Sequence, residues 1–184
     1  MATSFTKVLQ KYQKIAFSQK DKGERFERLM KAYLLTDPKY SSIFKKVWMW
    51  NEFPSKADLG GNDTGIDLVA LTYDGEYWAI QCKCYAENTF IDKKSVDTFL
   101  STSSRSFKDE NLHTTRFSQC LWISTSNKWS SNATEALKNQ NPPVIRLNIH
   151  DLNSAPVDWE KLENNITGTL ARTEKKQPRV HQNK

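Results

Sequence analysis

The segment NDTGIDLVALTYDGEYWAIQCKCY, residues 62–85, decides the fold. Residues 65–72 and 76–85 read as two strands joined around Asp74-Gly75. On the second strand Gln81 and Lys83 leave one face, while Trp78, Ile80, Cys82 and Cys84 leave the other. On the first strand Asp67 interrupts an apolar run, Ile66-Asp67-Leu68-Val69-Ala70-Leu71. A carboxylate in such a run is costly to bury unless it meets a cation or hydrogen-bond donors. Register decides whether it does. A two-residue turn at Asp74-Gly75 would set Asp67 opposite Cys82, on the wrong face. A three-residue loop, Tyr73-Asp74-Gly75 with Gly75 left-handed, sets it opposite Gln81, with Lys83 two residues along. The sequence predicts that loop, or a bulge of the same parity.

Working outward, residues 4–17 carry an apolar stripe at helical spacing: Phe5, Val8, Leu9, Tyr12, Ile15 and Ala16. A second helix is expected to start at Asp21 as N-cap, with Glu24 completing a capping pair. Its buried face is Phe26, Leu29, Met30, Tyr33 and Leu34, and Asp37-Pro38 ends it. Strands are predicted at 45–50, 117–125 and 143–148, and helices at 93–104 and 130–139. The order αα-β-ββ-α-β-α-β implies an α/β fold with a central mixed β-sheet flanked by α-helices. Glu27 lies at the edge of the second helix's buried stripe, from which it can look toward the sheet. A solvated Glu27 paired with Lys31 is the competing reading.

Composition narrows the class. The 184 residues carry 27 Lys+Arg against 21 Asp+Glu, net +6. That charge is unevenly spread: by residue count it is net +6 over 1–60, −4 over 61–100 and +4 over 101–184. An acidic centre within basic flanks suits an enzyme that holds a cation with carboxylates and a polyanion with its surroundings. No apolar run approaches a membrane span, and the N-terminus has no secretory apolar region, so no membrane role is expected. Three Cys are too few for a disulfide framework, and a cytoplasmic setting is expected. Cys82-x-Cys84 has strand spacing and no second pair, so it reads as core and not as a zinc site.

Three motifs occur in order: G-x-x-F-E (Gly23 to Glu27), D-x-G-x-D (Asp63 to Asp67) and Q-x-K (Gln81 to Lys83). Together they resemble the Mrr-like branch of the PD-(D/E)xK nuclease superfamily, over about residues 20 to 150. More narrowly, the chain is similar to the N-terminal nuclease domain of the single-polypeptide type I (type ISP) restriction–modification enzymes of lactococci. The resemblance implies a PD-(D/E)xK restriction-endonuclease-like core and Mg2+-dependent, largely sequence-nonspecific endonucleolytic cleavage of double-stranded DNA. It implies that Asp67, Gln81 and Glu27 hold the metal, and that Lys83 orients the attacking water and stabilises charge on the phosphate. Gln81 departs from the usual Glu or Asp. A neutral ligand weakens metal binding, so a non-catalytic DNA-binding module keeping the fold is an alternative. A stand-alone repair or junction nuclease of the superfamily is another.

Lys93 and Lys94 open the helix after the Gln81-Lys83 strand and are candidates for phosphate contacts, with a plain solvated face as the competing reading. From residue 169 the sequence turns polar and basic. The expected organisation is a nuclease domain over 1–168 and a basic linker over 169–184. Pro178-Arg179-Val180-His181-Gln182 resembles the Q-motif that opens superfamily 2 helicase cores, in which the Gln contacts adenine. The linker is therefore expected to lead into a motor, with a methyltransferase beyond it in a longer chain. The nuclease domain alone is expected to be monomeric.

Overall fold

The computed structural model describes residues 4–61, 64–86 and 88–173. Two helices open the chain, α1 (Ser4–Ile15) and α2 (Gln19–Leu34). The start of α2 corrects the expected cap. Ser18 is the N-cap, and its side chain accepts from the Asp21 amide. Asp21 sits inside the first turn, accepting from the Phe17 amide and from Arg25. Glu24 is thus an exposed helix residue with no capping role. Asp37 then caps the short α3 (Pro38–Ile43), with Pro at its first turn.

The sheet follows: β1 (Phe44–Met49), β2 (Leu68–Thr72) and β3 (Tyr77–Lys83), then β4 (Phe90–Ile91), α4 (Lys93–Ser103), β5 (Ser106–Lys108), β6 (Thr114–Ser124) and β7 (Lys128–Trp129). The chain continues through α5 (Ser131–Ala136), β8 (Val144–Leu147), α6 (Ile149–Ser154) and α7 (Trp159–Glu163). The main sheet runs β1-β2-β3-β6-β5, with β8 also paired to β6; β4 and β7 form a separate pair. Both β1 and β3 run antiparallel to β2, whereas β6 is parallel to β3 and to β8. The sheet is mixed, as expected. The parallel strands β3, β6 and β8 end on one edge, and chemistry can gather there.

The β2–β3 connection is the expected three-residue loop. Leu68 pairs Ile80 and Leu71 pairs Tyr77, Thr72 N donates to Glu76 O at 2.8 Å, and Gly75 takes φ 86. Continued one residue further, that register would set Asp67 opposite Gln81, but the regular pairing ends at Leu68, and Asp67 N bonds Ile80 O. Side chains of the two sheet faces then divide into two cores. Leu68, Ala70, Ile80, Cys82, Leu121 and Ile123 pack under α1, α2, α6 and α7 against Phe5, Phe26, Met30 and Trp159. Val69, Ala79, Cys120 and Trp122 pack on the other side with Val96 and Phe99 of α4, Phe107 and Phe117. Among the described residues, no helix is long and apolar enough to cross a membrane.

Residues 168–171 form a short 3-10 helix, and Ala171 is fully buried. Arg172 donates to Thr36 O at 2.7 Å and to Ser41 Oγ at 2.9 Å. Polar composition hid this attachment, because it is made by hydrogen bonds and one small apolar residue. Gln182 and the rest of 174–184 lie outside the described residues, as does Asp63.

Candidate active site

Asp67 stands at the mouth of the sheet, just before β2. Ile66 belongs to the α4-side core and Leu68 to the α2-side core, although a regular strand would place both on one face. The alternation breaks at Asp67. Its backbone is held on both sides: Asp67 N donates to Ile80 O at 2.9 Å, and Trp50 N donates to Asp67 O at 2.8 Å. Its side chain turns along the sheet edge, and Oδ2 accepts the Cys82 amide at 2.8 Å. The carboxylate has taken a place in the ladder that a strand carbonyl would fill. This fixes its orientation without a second side chain.

Gly65 shapes the approach. It has φ +77, and a Cβ there would lie 3.0 Å from Phe99 N and 3.1 Å from Phe99 Cα. The loop before Asp67 therefore rests on the backbone of α4, and only glycine meets both demands.

Glu27, from α2, reaches the same point. Its carboxyl is within hydrogen-bonding reach of Asp67. Burial, then the Asp67 charge, pushes Glu27 up to about 8. Burial also raises Asp67, opposed by the Cys82 amide and by Lys83. The shared hydrogen bond raises Glu27 and lowers Asp67, so Glu27 is the weaker acid of the two.

Gln81 and Lys83 complete the group from β3. Gln81 is 3 % exposed, and its Oε1 has no hydrogen-bond partner among the described residues. Buried acceptors are rarely left unmade, because the desolvation cost is about 1–3 kcal/mol. Lys83 is partly exposed, and its charge is close enough to pull the Asp67 pKa down and to do the same to Asp92.

The structure thus brings Glu27, Asp67 and Lys83 together, with Gln81 beside them on the same strand. It does not bring in Lys93, whose Nζ lies 2.5 Å from Asp97 in an exposed ion pair. Lys94 is exposed and makes no ion pair among the described residues. Cys82 is buried in the α2-side core, its thiol raised well above the ordinary value by burial first and by Asp67 and Glu27 next. No disulfide or metal pair forms with Cys84. The Cys82 amide escaped the sequence reading. A backbone donor leaves no sequence signal, whereas the glycine two residues before Asp67 is one.

A restriction endonuclease family matches residues 35–169. The chain belongs to the restriction endonuclease family. Among solved structures, this family member superposes on one described as the ATP-dependent Type ISP restriction-modification enzyme LlaBIII bound to DNA. The TM-score is 0.67 at 24 % identity, over 99 % of this chain and 10 % of that one. It also superposes on the MspJI restriction endonuclease in complex with a 27-mer oligonucleotide, with TM-score 0.50 and 15 % identity, over 88 % of this chain and 32 % of that one. The chain spans about a tenth of the length of the first. No curated protein matches it. The fold is the PD-(D/E)xK type of restriction endonucleases.

The residues fit a divalent cation. Among the described residues no three His, Cys, Asp or Glu are grouped to hold a metal. The candidate set here is two carboxylates and one amide oxygen, Glu27, Asp67 and Gln81. All three donors are hard oxygens, which suits Mg2+ better than zinc or copper.

Proposed function

We propose that this restriction endonuclease domain hydrolyses DNA phosphodiesters in a Mg2+-dependent reaction centred on Asp67, Glu27, Gln81 and Lys83. One observation carries the reading: the carboxyls of Glu27 and Asp67 meet within hydrogen-bonding reach, with Lys83 close enough to act on Asp67. Gln81, two residues before Lys83 on the same strand, supports it with a buried Oε1 that has no partner among the described residues. Glu27, Asp67 and Gln81 would hold the cation, and a bound Mg2+ supplies polarisation of a phosphoryl oxygen and a more acidic water.

The chain's own groups do the rest. Asp67 is pre-oriented by the Cys82 amide, so no reorganisation is needed when charge arrives. Lys83 puts an ammonium beside the site and stabilises negative charge that grows on the phosphate. With a cation bound, Glu27 would lose its proton to solvent and serve as a carboxylate ligand or water acceptor. Lys94, which is exposed, would meet a flanking phosphate. Among the described residues no base-reading element is evident, which supports largely sequence-nonspecific cleavage, with target choice made elsewhere in a longer restriction–modification chain that has motor and methyltransferase parts. The DNA-bound relative described above supports this setting.

A competing reading draws on Gln81. With only two anionic ligands the site could bind DNA without cutting it. Nicking of supercoiled plasmid in Mg2+ against EDTA, by wild type, Gln81→Glu and Lys83→Ala, separates the two. A working centre nicks as wild type, and Lys83→Ala abolishes this. A degenerate one is silent as wild type and gains activity, if at all, only with Gln81→Glu.

A further inference from the structure

Beyond the proposed centre, the separate β4–β7 pair, which follows β3 and β6 in the chain, carries a small platform that the reaction does not use. β4 and β7 pair in parallel, Phe90 with Lys128 and Ile91 with Trp129. One side of this pair is core: Ile91 is fully buried, and Trp129 packs against Trp122. The other side presents Phe90, 62 % exposed, with Lys128 Nζ 5.9 Å from its ring centroid and 3.1 Å from Asn88 Oδ1. Phe17 and Tyr73 are also exposed aromatics, but among the described residues only Phe90 of these three has a cation over its ring.

The platform is rigidly built. Thr125 Oγ1 accepts from Tyr85 N at 2.7 Å and donates to Tyr85 O at 2.8 Å. Ser126 Oγ donates to Thr89 O, and Ser130 N donates to Ile91 O at 3.2 Å. The segment after the Gln81-Lys83 strand is thus tied to the end of β6. It is also near the site: Asp92, two residues beyond Phe90, feels the Lys83 charge. An aromatic face held out to solvent, flanked by an ammonium and an amide, is the pairing that stacks a base and neutralises its phosphate.

We infer that Phe90 and Lys128 form a nucleotide-binding platform beside the scissile position, Phe90 stacking on an unstacked base or sugar and Lys128 contacting the adjoining phosphate. The inference rests on the nuclease reading for its substrate but not for its test. Binding of a 2-aminopurine-containing DNA duplex with a short gap is measured in EDTA, so that catalysis plays no part, with wild type, Phe90→Ala, Phe90→Trp and Lys128→Ala. Phe90 is largely exposed, so its replacement leaves the core intact. Phe90→Ala should weaken binding about tenfold and remove 2-aminopurine quenching, and Phe90→Trp should restore both. Lys128→Ala should weaken binding and lower the salt slope by about one phosphate contact. Unchanged binding and quenching in Phe90→Ala would overturn the platform, and would assign the exposed ring to a protein neighbour if it then proved protected in a longer chain. That outcome leaves Mg2+-dependent nicking untouched. Loss of nicking with DNA binding intact would instead sink the nuclease reading alone.

Discussion

Replacing Glu27 by Gln should stabilise the metal-free protein, and increasingly so as pH rises. In the folded chain the Glu27 carboxyl is raised from its ordinary 4.5 to about 8, chiefly by burial and then by Asp67. A raised carboxyl pKa means that the folded state favours the protonated form. Its contribution is fully present below the unfolded pKa and is lost as pH climbs through the folded one. Wild type therefore loses stability between about pH 4.5 and 8. Glutamine keeps the donor to Asp67 and has no proton to lose. Taken at face value the displacement corresponds to about 5 kcal/mol. Glu27 is only partly buried, and water screens it, so we take about 2 kcal/mol. For a chain of this size that is a Tm difference of about 4–8 °C. The assay is thermal unfolding followed by circular dichroism in EDTA, from pH 5 to pH 9. The variant should match wild type near pH 5 and exceed it above pH 8. Added Mg2+ should narrow the gap, because only wild type exchanges its proton for a cation with two carboxylates. A variant that is less stable at every pH, or a gap that does not change with pH, would refute the protonated pair.

Other expectations follow from single contacts. Gly65→Ala forces φ +77 on a residue with a Cβ 3.0 Å from Phe99 N; it should cost about 2 kcal/mol in urea unfolding and weaken activity with it. Arg172→Ala removes two charge-assisted bonds to Thr36 and Ser41 and should cost about 1–3 kcal/mol, whereas a linker residue would cost nothing measurable. Trp159→Ala empties a site packed by Phe5 and Tyr33, with ring centroids 4.6 and 5.0 Å away; a loss of about 3–5 kcal/mol in the same assay is expected.

Much of this was readable in residues 62–85. Asp-Gly after an apolar run gave the loop, and the loop gave the register of Leu68 to Leu71 against Tyr77 to Ile80. What alternation did not give was the turn of the Asp67 side chain out of its face onto the Cys82 amide. Strand periodicity breaks where the sheet opens, and nothing in Ile66-Asp67-Leu68 marks it. The stripe on α2 was plain, and Glu27 at its edge followed from it, but the cap moved from Asp21 to Ser18. Both residues are good caps, and the Phe17 amide engages Asp21 by donating to its carboxylate, which leaves Ser18 to cap the helix. The short helices α3, α6 and α7 were not read. At five or six residues they show no period and depend on packing, in α7 through Trp159. The attachment of residues 168–173 went unread for a related reason: it rests on Arg172, which in sequence looks like one more charge in a basic tail.

The most direct test of the central claim is the nicking of supercoiled plasmid by wild type and Asp67→Ala side by side, with DNA affinity measured for both. The account predicts Mg2+-dependent nicking by wild type and none by Asp67→Ala, with affinity in EDTA within a few-fold. Nicking that survives Asp67→Ala would show that the chemistry lies elsewhere in the chain and would contradict the site described here.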